Sequence, residues 1–508
     1  MRLPPCPSAR LLALTLAFSL GVAPARADDT SRAGSARSYA KGEAFRPITE
    51  DADFKYANYA IQVVNARTGD EVWSWDADEL LAPASVTKVV TTAAGLKRLG
   101  AGWRFHTWVM HDGEITKDGV LEGNLYIKGG GDPTFVIEKA WKIVHDLRRK
   151  GITEIKGDLI FDDGYFDREH LITGWDKRTD IASGPSYFAP IGALTLANNT
   201  AGIVVEPGFE VDSPARVSFE VEAPKHLIIE SEAKTVAKGR RPWLELEREV
   251  DPKDFTVTFK LKGDVPLGSD PEVHYRAVGN PLAFTISAVE KVFRDERMKF
   301  TGRVKVGETP RPGTGPKDAK LLIDMASPPL HEIANHTNKY SSNLMAEQIL
   351  KALGAEIKGL PGTTSKGVGA VSEYLAQIGV PVGTYTMING SGLARDTRFT
   401  PAQINAVLLD MVNDPRVGPE FLASLSVAGV DGTLRRRFDD AGDGLVRGKT
   451  GSLNSVNCVT GYVRGSDGDM YVFTVLANDV EKGRAARSIQ DQVAQTIMKG
   501  LGAPPLQR

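Results

Sequence analysis

One stretch near the start of the chain restricts the possible folds more than any other: LLAPASVTKVVTTAAGLKRLG at residues 80–100. After Pro83 the sequence is rich in Val, Ala, Thr and Leu up to Leu99, where a glycine follows, and this pattern predicts a helix that ends at Gly100. Apolar residues occupy nearly every side of this helix, so it should be buried at the centre of the fold. Its first turn is polar and carries Ser85 and Lys88 on one face.

Ser85 and Lys88 have the chemistry of a serine nucleophile and its base. Unpaired backbone N–H groups and the positive end of the helix dipole surround the hydroxyl. An amine that is partly removed from water loses proton affinity, so Lys88 could accept the serine proton without a histidine. Taken alone, Ser85 could equally be an ordinary helix N-cap. Two other Ser-x-x-Lys strings, at residues 38–41 and 231–234, lack a following apolar helix and are interpreted as solvated segments.

The N-terminus indicates export from the cytoplasm. Arg2 and Arg10 mark a short positive region, the run LLALTLAFSLGV is too short to span a bilayer, and Ala25-Arg26-Ala27 is typical of a cleavage site. We therefore predict a signal peptide over residues 1–27, cleaved after Ala27, and a periplasmic mature protein without a transmembrane anchor.

Composition excludes several classes of protein. A hydrophobic content of 42% over 508 residues is enough for more than one core, and a formal net charge of −2 argues against nucleic acid as a partner. Cys6 leaves with the signal peptide, so Cys458 has no partner for an internal disulfide and is expected to be a small core side chain. No His-Glu-x-x-His string is present, and we expect neither a metal nor a cofactor.

The distribution of patterns predicts an α+β fold. A hairpin pattern covers residues 59–78, strands are expected at 458–465 and 470–478, and helical patterns lie between 341 and 412. This arrangement implies an antiparallel sheet built from both chain ends and covered by helices. Short strands dominate residues 104–317, which indicates one or two inserted β-rich domains.

Two further motifs follow the Ser85 helix along the chain. Ser341-x-Asn343 lies at a predicted helix start, and Lys449-Thr450-Gly451 lies on or just before a strand. The Lys449 ammonium and the Thr450 hydroxyl can hold a carboxylate, and Gly451 lets a ligand backbone approach closely. Each motif is weak alone, and Ser341 could be a simple helix cap. Their order after Ser-x-x-Lys is that of the penicillin-recognising serine acyl-enzymes.

With these motifs the sequence resembles the type-4 penicillin-binding proteins, D-alanyl-D-alanine carboxypeptidases and endopeptidases of low molecular mass, over nearly all of the mature chain. Four more segments support the resemblance: GGGDPTF at 129–135, GDLIFDDGYF at 157–166, NGSGL at 389–393 and VAGVDGTLRRR at 427–437. The chain departs from the family pattern at Asn389, where aspartate is usual, and at Ala394, where serine is frequent.

The resemblance implies a nested domain arrangement. A transpeptidase-like domain would comprise residues 28–103 and 318–508. An inserted domain would comprise residues 104–198 and 277–317, itself interrupted by a second β-rich domain at 199–276.

The resemblance also implies residue roles. Ser85 would attack the carbonyl of the penultimate D-alanine, with Lys88 as general base. Ser341 would relay a proton to the leaving nitrogen, and Asn343 would hold Lys88 and the substrate amide. Lys449 and Thr450 would bind the terminal carboxylate beside Gly451.

Two further contributions follow from the same resemblance. The backbone N–H groups of Ser85 and Ser452 would form the oxyanion hole, since such donors stabilise the charge of the tetrahedral intermediate. Asp162 would read the amino end of diaminopimelate, although next to Asp163 it is also consistent with a solvated turn.

The expected function is therefore that of a serine D-Ala-D-Ala carboxypeptidase and DD-endopeptidase acting on peptidoglycan stem peptides through an acyl-enzyme on Ser85. β-Lactams would be covalent inhibitors. One alternative is a serine β-lactamase-like hydrolase, but no Glu-x-x-Leu-Asn string follows the Ser85 helix at the usual place. Another is a non-catalytic wall-binding scaffold, which would not need a complete set of acylation residues.

Overall fold

The computed structural model describes residues 42–175, 182–310, 318–438 and 444–501. The predicted signal peptide at residues 1–27 and the Ser-x-x-Lys string at 38–41 lie outside the described residues. Within the described ranges no helix has the length and apolar character needed to cross a bilayer.

The helices and strands are numbered in chain order. The α-helices are α1 Arg46–Thr49, α2 Thr87–Leu99, α3 Ile137–Arg149, α4 Pro281–Asp295, α5 Leu330–Lys339, α6 Asn343–Lys358, α7 Thr364–Gln377, α8 Pro401–Val412, α9 Gly418–Ser424 and α10 Gly483–Lys499. The β-strands are β1 Asn58–Asn65, β2 Glu71–Trp75, β3 His106–His111, β4 Glu114–Ile115, β5 Val120–Glu122, β6 Leu125–Gly129, β7 Glu154–Ile155, β8 Leu159–Asp162, β9 Thr200–Glu206, β10 Arg216–Phe219, β11 Leu227–Ser231, β12 Lys234–Val236, β13 Trp243–Val250, β14 Val257–Pro266, β15 Glu272–Ala277, β16 Lys299–Phe300, β17 Val304–Val306, β18 Lys320–Ala326, β19 Ser426–Val427, β20 Val446–Leu453, β21 Val456–Arg464 and β22 Met470–Asn478.

A six-stranded antiparallel sheet joins the two ends of the chain in the order β19-β20-β21-β22-β1-β2. Strand β1 pairs with β22 along its whole length, from Asn58 opposite Asn478 to Asn65 opposite Tyr471. The hairpin predicted at residues 59–78 is β1 and β2. The sheet built from both chain ends is therefore as the sequence predicted.

Helices cover both faces of this sheet. Along β21 the side chains alternate between the faces, as a strand requires. Cys458 and Tyr462 pack in the core cluster that contains α2, whereas Val459 and Val463 pack in the cluster that contains α10. Burial on both faces explains why β21 and β22 are almost continuously apolar.

Helix α2 lies at the centre of the larger cluster, and Val89, Val90 and Ala93 are fully buried there. The α-helix begins at Thr87 instead of Ser85, because a 3₁₀ turn over Ala84–Val86 precedes it. Ala84 has φ +49°, a strained conformation for a residue with a Cβ. Neither turn nor helix has a side-chain cap, so Ser85 does not act as an N-cap.

Helix α6 begins at Asn343 and its cap is Ser342, whose Oγ accepts a hydrogen bond from the Met345 N–H at 3.3 Å. From the sequence, Ser341 was a possible cap. Ser341 instead has φ +58° and lies outside the helix, with its hydroxyl free for another partner.

Residues 104–317 form the short strands predicted for them. A five-stranded sheet has the order β17-β8-β6-β3-β18, and two further sheets contain β9 to β15. Strand β18 pairs antiparallel with β3, so this sheet continues beyond the predicted boundary at residue 317. Ser231 and Lys234 belong to β11 and β12, and both are exposed, as expected of a solvated segment. The nested division into domains stays a prediction.

Candidate active site

Ser85 and Lys88 contact each other directly. The Lys88 Nζ donates a hydrogen bond to the Ser85 Oγ at 2.9 Å. The lysine side chain is fully buried, whereas Ser85 is half-buried and reaches the surface of the protein. The 3₁₀ turn keeps both side chains on one face, so the predicted pairing holds even though the α-helix starts two residues later.

Two more acceptors hold the Lys88 amine. Its Nζ donates to the Asn343 Oδ1 and to the Ser391 carbonyl, each at 2.7 Å. Neither acceptor is a carboxylate. Burial, reinforced by the charge of Lys449, lowers the pKa of Lys88 well below its ordinary value, and the charge of Glu347 opposes this shift. A lysine in this environment can be neutral and accept a proton.

A second lysine and serine form a matching pair. The Lys449 Nζ donates to the Ser341 Oγ at 2.9 Å and to the Thr450 carbonyl at 2.6 Å. Burial lowers the pKa of Lys449 to about 7. The left-handed backbone at Ser341 is costly for a serine, and such strain is frequently found at functional sites.

Strand β20 lies directly against the 3₁₀ turn of Ser85. A Cβ at Gly451 would collide with the Pro83 carbonyl and lie 3.0 Å from the backbone nitrogen of Ser85, so only glycine fits here. On this strand the Thr450 Oγ1 donates to the Thr433 Oγ1 at 2.8 Å. Ser452 follows, and it is exposed. The structure thus brings Thr450, Gly451 and Ser452 to the edge of the Ser85 site.

The loop at residues 389–392 packs against the 3₁₀ turn that carries Ser85. The Asn389 Nδ2 donates to the Thr173 carbonyl at 2.9 Å, and its Oδ1 accepts from the Gly392 N–H at 2.9 Å. Aspartate could make only the second bond, which accounts for asparagine at this position. Gly392 has φ +77°, and a Cβ there would collide with the Ala84 carbonyl. The loop therefore fixes the turn that carries Ser85.

Residues between β8 and β9 contribute one wall. The Asn343 Nδ2 donates to the Tyr187 carbonyl at 2.7 Å. The Tyr187 ring is exposed and lies edge-on to Trp175, with ring centroids 6.2 Å apart. Near the end of β20, the Arg395 Nη2 donates to the Asn454 carbonyl at 3.1 Å. An exposed aromatic ring and an exposed cation thus flank the site.

Asp162 is not brought to this cluster. Its side chain is buried, and it accepts hydrogen bonds from the Gly164 N–H at 2.9 Å and the Thr309 N–H at 2.8 Å, and it pairs with Lys128 at 3.1 Å. Burial favours the neutral acid, but these hydrogen bonds and the Lys128 charge outweigh it and lower the pKa of Asp162. The solvated-turn interpretation is wrong for this buried side chain. Recognition of diaminopimelate by Asp162 stays a prediction.

Sequence reasoning missed three groups of the site: the Ser391 and Tyr187 carbonyls and the Glu347 carboxylate. The carbonyls could not be found, because any residue type supplies one. Glu347 left a usable signal, since it follows Asn343 by one helical turn and so lies on the same face of α6.

The fold and the site together define a class of protein, that of the transpeptidase-like penicillin-binding proteins. The crystal structure of penicillin binding protein 4 (dacB) from Haemophilus influenzae matches with a TM-score of 0.73 at 22% identity, over 88% of this chain and 97% of that chain. Its complex with a novel β-lactam matches with a TM-score of 0.69 at 21% identity, over 88% of this chain and 99% of that chain. The predicted α+β, transpeptidase-like fold is confirmed.

The chain belongs to the D-Ala-D-Ala carboxypeptidase 3 (S13) family, whose profile matches residues 43–499. A D-alanyl-D-alanine carboxypeptidase of Actinomadura sp. is 32% identical over 504 residues, which is 97% of this chain and 89% of the relative. The D-alanyl-D-alanine carboxypeptidase DacB of Haemophilus influenzae is 25% identical over 438 residues, 84% of this chain and 86% of the relative. The resemblance to type-4 penicillin-binding proteins is confirmed.

Proposed function

We propose that this protein is a serine D-Ala-D-Ala carboxypeptidase that forms an acyl-enzyme on Ser85. The observation that carries the proposal is the contact between the buried Lys88 amine and the Ser85 hydroxyl at 2.9 Å. A buried amine without a carboxylate partner has the lowered proton affinity that a general base needs at neutral pH. Membership of the S13 family and the names of two relatives support the same activity.

Acylation would proceed by proton transfer and addition. Neutral Lys88 takes the proton of the Ser85 hydroxyl, and the Ser85 oxygen attacks the carbonyl carbon of the penultimate D-alanine. The carbonyl oxygen becomes an oxyanion, which the backbone N–H groups of Ser85 and Ser452 would stabilise. Collapse of this intermediate breaks the amide bond and leaves an ester on Ser85.

The leaving amine must gain a proton as the amide bond breaks. Ser341 is the proposed relay: the proton that Lys88 took from Ser85 would pass through its hydroxyl to the leaving nitrogen, while protonated Lys449 stays hydrogen-bonded to that hydroxyl. Asn343 would hold both Lys88 and the amide of the substrate. The first product is the free C-terminal D-alanine. Water then attacks the ester carbonyl as Lys88 takes one of its protons; the bond to the Ser85 oxygen breaks, Lys88 returns that proton to Ser85, and the shortened peptide leaves with a free carboxyl group.

Recognition of the chain terminus would depend on the residues of β20. Lys449 and Thr450 are neighbours on this strand, and the ammonium of one and the hydroxyl of the other would bind the carboxylate by charge-assisted hydrogen bonds. The Thr450 Oγ1 donates to Thr433 in the free protein, and this bond would be exchanged for one to the substrate.

The same chemistry extends to the cross-bridges of peptidoglycan, so we also propose DD-endopeptidase activity. A cross-bridge presents a D-alanyl carbonyl followed by an amine next to a carboxylate, which the same groups can bind. A predatory endopeptidase of Bdellovibrio bacteriovorus shares the fold with a TM-score of 0.50 at 17% identity, over 89% of this chain and 96% of that chain. Export by the predicted signal peptide would deliver the protein to this periplasmic substrate. β-Lactams would acylate Ser85 in place of the stem peptide.

Product analysis on purified muropeptides tests the proposal. Monomeric pentapeptide muropeptides should lose one D-alanine, and cross-linked dimers should be split into monomers, both without an added metal or cofactor. Mass spectrometry of the digests identifies each product. Unchanged muropeptides would refute the peptidase, and rapid multiple turnover of benzylpenicillin would favour the β-lactamase-like alternative.

The pKa of Lys449 leads to a prediction for the pH dependence. Protonated Lys449 binds the substrate carboxylate, and burial lowers its pKa to about 7, so binding weakens as the pH rises through that value. Since kcat/KM reports on the free enzyme, it should fall by up to about tenfold per pH unit above about pH 7. Initial rates of D-alanine release at subsaturating peptide measure this limb.

A peptide with an amidated C-terminus is the control for this pH dependence. It lacks the carboxylate, so its slow cleavage should show no fall near pH 7. A kcat/KM that stays level or rises between about pH 6 and about pH 9 for the free acid would contradict the role given to Lys449.

A further inference from the structure

Glu347 is a buried carboxylate that the reaction scheme above does not use. It lies on α6, one turn after Asn343, and its side chain is 2% exposed. Its Oε2 accepts the Gly390 N–H at 3.0 Å and its Oε1 accepts the Ser391 N–H at 2.8 Å. Burying a carboxylate is costly unless hydrogen bonds compensate, and both oxygens are satisfied by the same short stretch of backbone.

That stretch of backbone is also held from the side of α2. The Thr91 Oγ1 donates to the Gly390 carbonyl at 2.7 Å, and the Lys88 Nζ donates to the Ser391 carbonyl at 2.7 Å. Thr91 and Lys88 are three residues apart and lie on one face of α2. Glu347 fixes the N–H groups of the peptide stretch whose carbonyls contact α2, so its position determines where the Ser391 carbonyl holds Lys88.

None of the hydrogen-bond partners of Lys88 carries a charge. Those partners are the Ser85 hydroxyl, the Asn343 amide and the Ser391 carbonyl, all neutral. Of the charged groups packed around Lys88, Lys449 on β20 disfavours its protonated form and Glu347 on α6 favours it.

The other charges packed against α2 are paired at the far end of that helix. Asp410 and Asp414 bind Lys97, and Glu373 binds Arg98. Glu347 is therefore the carboxylate of the described residues whose charge acts on Lys88.

We propose that Glu347 is a positioning residue for the attack by Ser85, because it fixes the Ser391 carbonyl that holds Lys88. Burial raises the pKa of Glu347, and the hydrogen bonds from Gly390 and Ser391 oppose that rise. When ionised, Glu347 favours the protonated form of Lys88 and so contributes to its pH dependence. The inference rests on the proposed function, because it assigns a role in the same acylation step. It adds a group that contacts neither the substrate nor the reacting atoms.

Glu347→Gln changes both the hydrogen bonds and the charge, and comparison with Glu347→Asp separates the two effects. A glutamine has one acceptor oxygen, so one of the two N–H groups loses its partner and the Ser391 carbonyl shifts. We expect acylation by benzylpenicillin to slow by about 10- to 100-fold, the scale of a small misplacement of a reacting group. Loss of the negative charge also lowers the pKa of Lys88 further, so the acid limb of the acylation rate should move to lower pH.

Two further variants control the experiment. Glu347→Asp keeps the charge but shortens the side chain, so acylation should slow while the acid limb stays at its wild-type pH. Glu290→Gln changes a carboxylate on α4 that is 7% exposed and binds Lys225, and it should leave both the rate and the limb unchanged. Stopped-flow or quenched labelling from about pH 5 to about pH 9 gives the rates, and thermal melting gives the folded fraction.

The outcomes decide between positioning and a purely structural role. Two results together support the proposal. Glu347→Gln is acylated slowly and the acid limb of its pH profile moves, and Glu347→Asp is acylated slowly with that limb at its wild-type pH. The proposal would be overturned by wild-type acylation rates, by an acid limb that does not move in Glu347→Gln, or by a loss of acylation that only follows the loss of folded protein. If Glu347→Gln does not fold, Glu347→Asp decides alone, since a wild-type rate in that folded variant is against positioning. Failure of the wild-type protein to be acylated would instead refute the proposed function.

Discussion

Ser85→Ala is expected to abolish covalent labelling by fluorescent penicillin and to reduce D-alanine release to background. The hydroxyl of Ser85 is the atom that would form the acyl bond, and Lys88 has no substitute hydroxyl among its hydrogen-bond partners. Loss of a serine nucleophile costs on the order of 10⁶ in kcat in a serine hydrolase. Gel fluorescence after incubation with the penicillin, with mass mapping of the wild-type adduct, measures the effect.

Ser231→Ala provides a matched control. Ser231 is also the serine of a Ser-x-x-Lys string, but it lies at the end of β11 instead of before a buried helix, so its removal should leave labelling unchanged. Thermal melting should show that both variants are folded, since Ser85 is only half-buried. A wild-type adduct on any residue other than Ser85, or residual labelling of folded Ser85→Ala, would refute the assignment of the nucleophile.

The sequence was sufficient for the parts of the fold that rest on local pattern. Strand β22, at Met470–Asn478, has the predicted bounds, and α2 ends at Gly100 as expected. Apolar periodicity and stop signals act over a few residues, so they can be recognised without knowledge of the tertiary structure. The distribution of these patterns predicted the sheet built from both chain ends, and the motif order indicated the family.

What could not be predicted depends on contacts between distant segments. The start of α2 is displaced by the 3₁₀ turn of Ala84–Val86, which is packed between Gly392 and Gly451. Strand β18 joins the five-stranded sheet because it pairs with β3, and this pairing cannot be predicted from local sequence. The same limit explains why the Ser391 carbonyl was missed as a partner of Lys88.

The site combines two buried lysines that have different work to do. In the proposed mechanism Lys88 has to lose its proton to act as a base, whereas Lys449 has to keep one to bind a carboxylate. Both are fully buried, but their charge environments differ: the Lys449 charge lowers the pKa of Lys88, and Glu347 acts in the opposite direction. Arrival of the substrate carboxylate at Lys449 would stabilise the ammonium there. Lys449 would therefore stay protonated and bind the carboxylate, while Lys88 stays neutral and able to activate Ser85.

Lys88→Met is expected to slow acylation by about 10² to 10⁴-fold, the usual contribution of a general base. Methionine is similar in length to lysine and can occupy the same buried space, so the backbone of α2 should be retained. The Asn343 Oδ1 and the Ser391 carbonyl lose a donor, at about 1–3 kcal/mol each, but the cost of burying an amine is also removed. We therefore expect a folded protein with a modest change in melting temperature. The second-order rate constant for benzylpenicillin measures the loss.

Lys97→Met on the same helix shows whether the loss at Lys88 is specific. Lys97 lies near the other end of α2 and pairs with Asp410 at 3.0 Å and Asp414 at 2.8 Å. Its removal takes both ion pairs away, although Asp414 keeps its pair with Arg416 at 2.7 Å. This variant should lose stability and yet be acylated at the wild-type rate where it is folded. The opposite pattern is expected of Lys88→Met, which keeps its fold and loses the reaction. If folded Lys88→Met is acylated within about tenfold of wild type, below the usual contribution of a general base, another group takes the proton of Ser85 and the proposed mechanism is wrong.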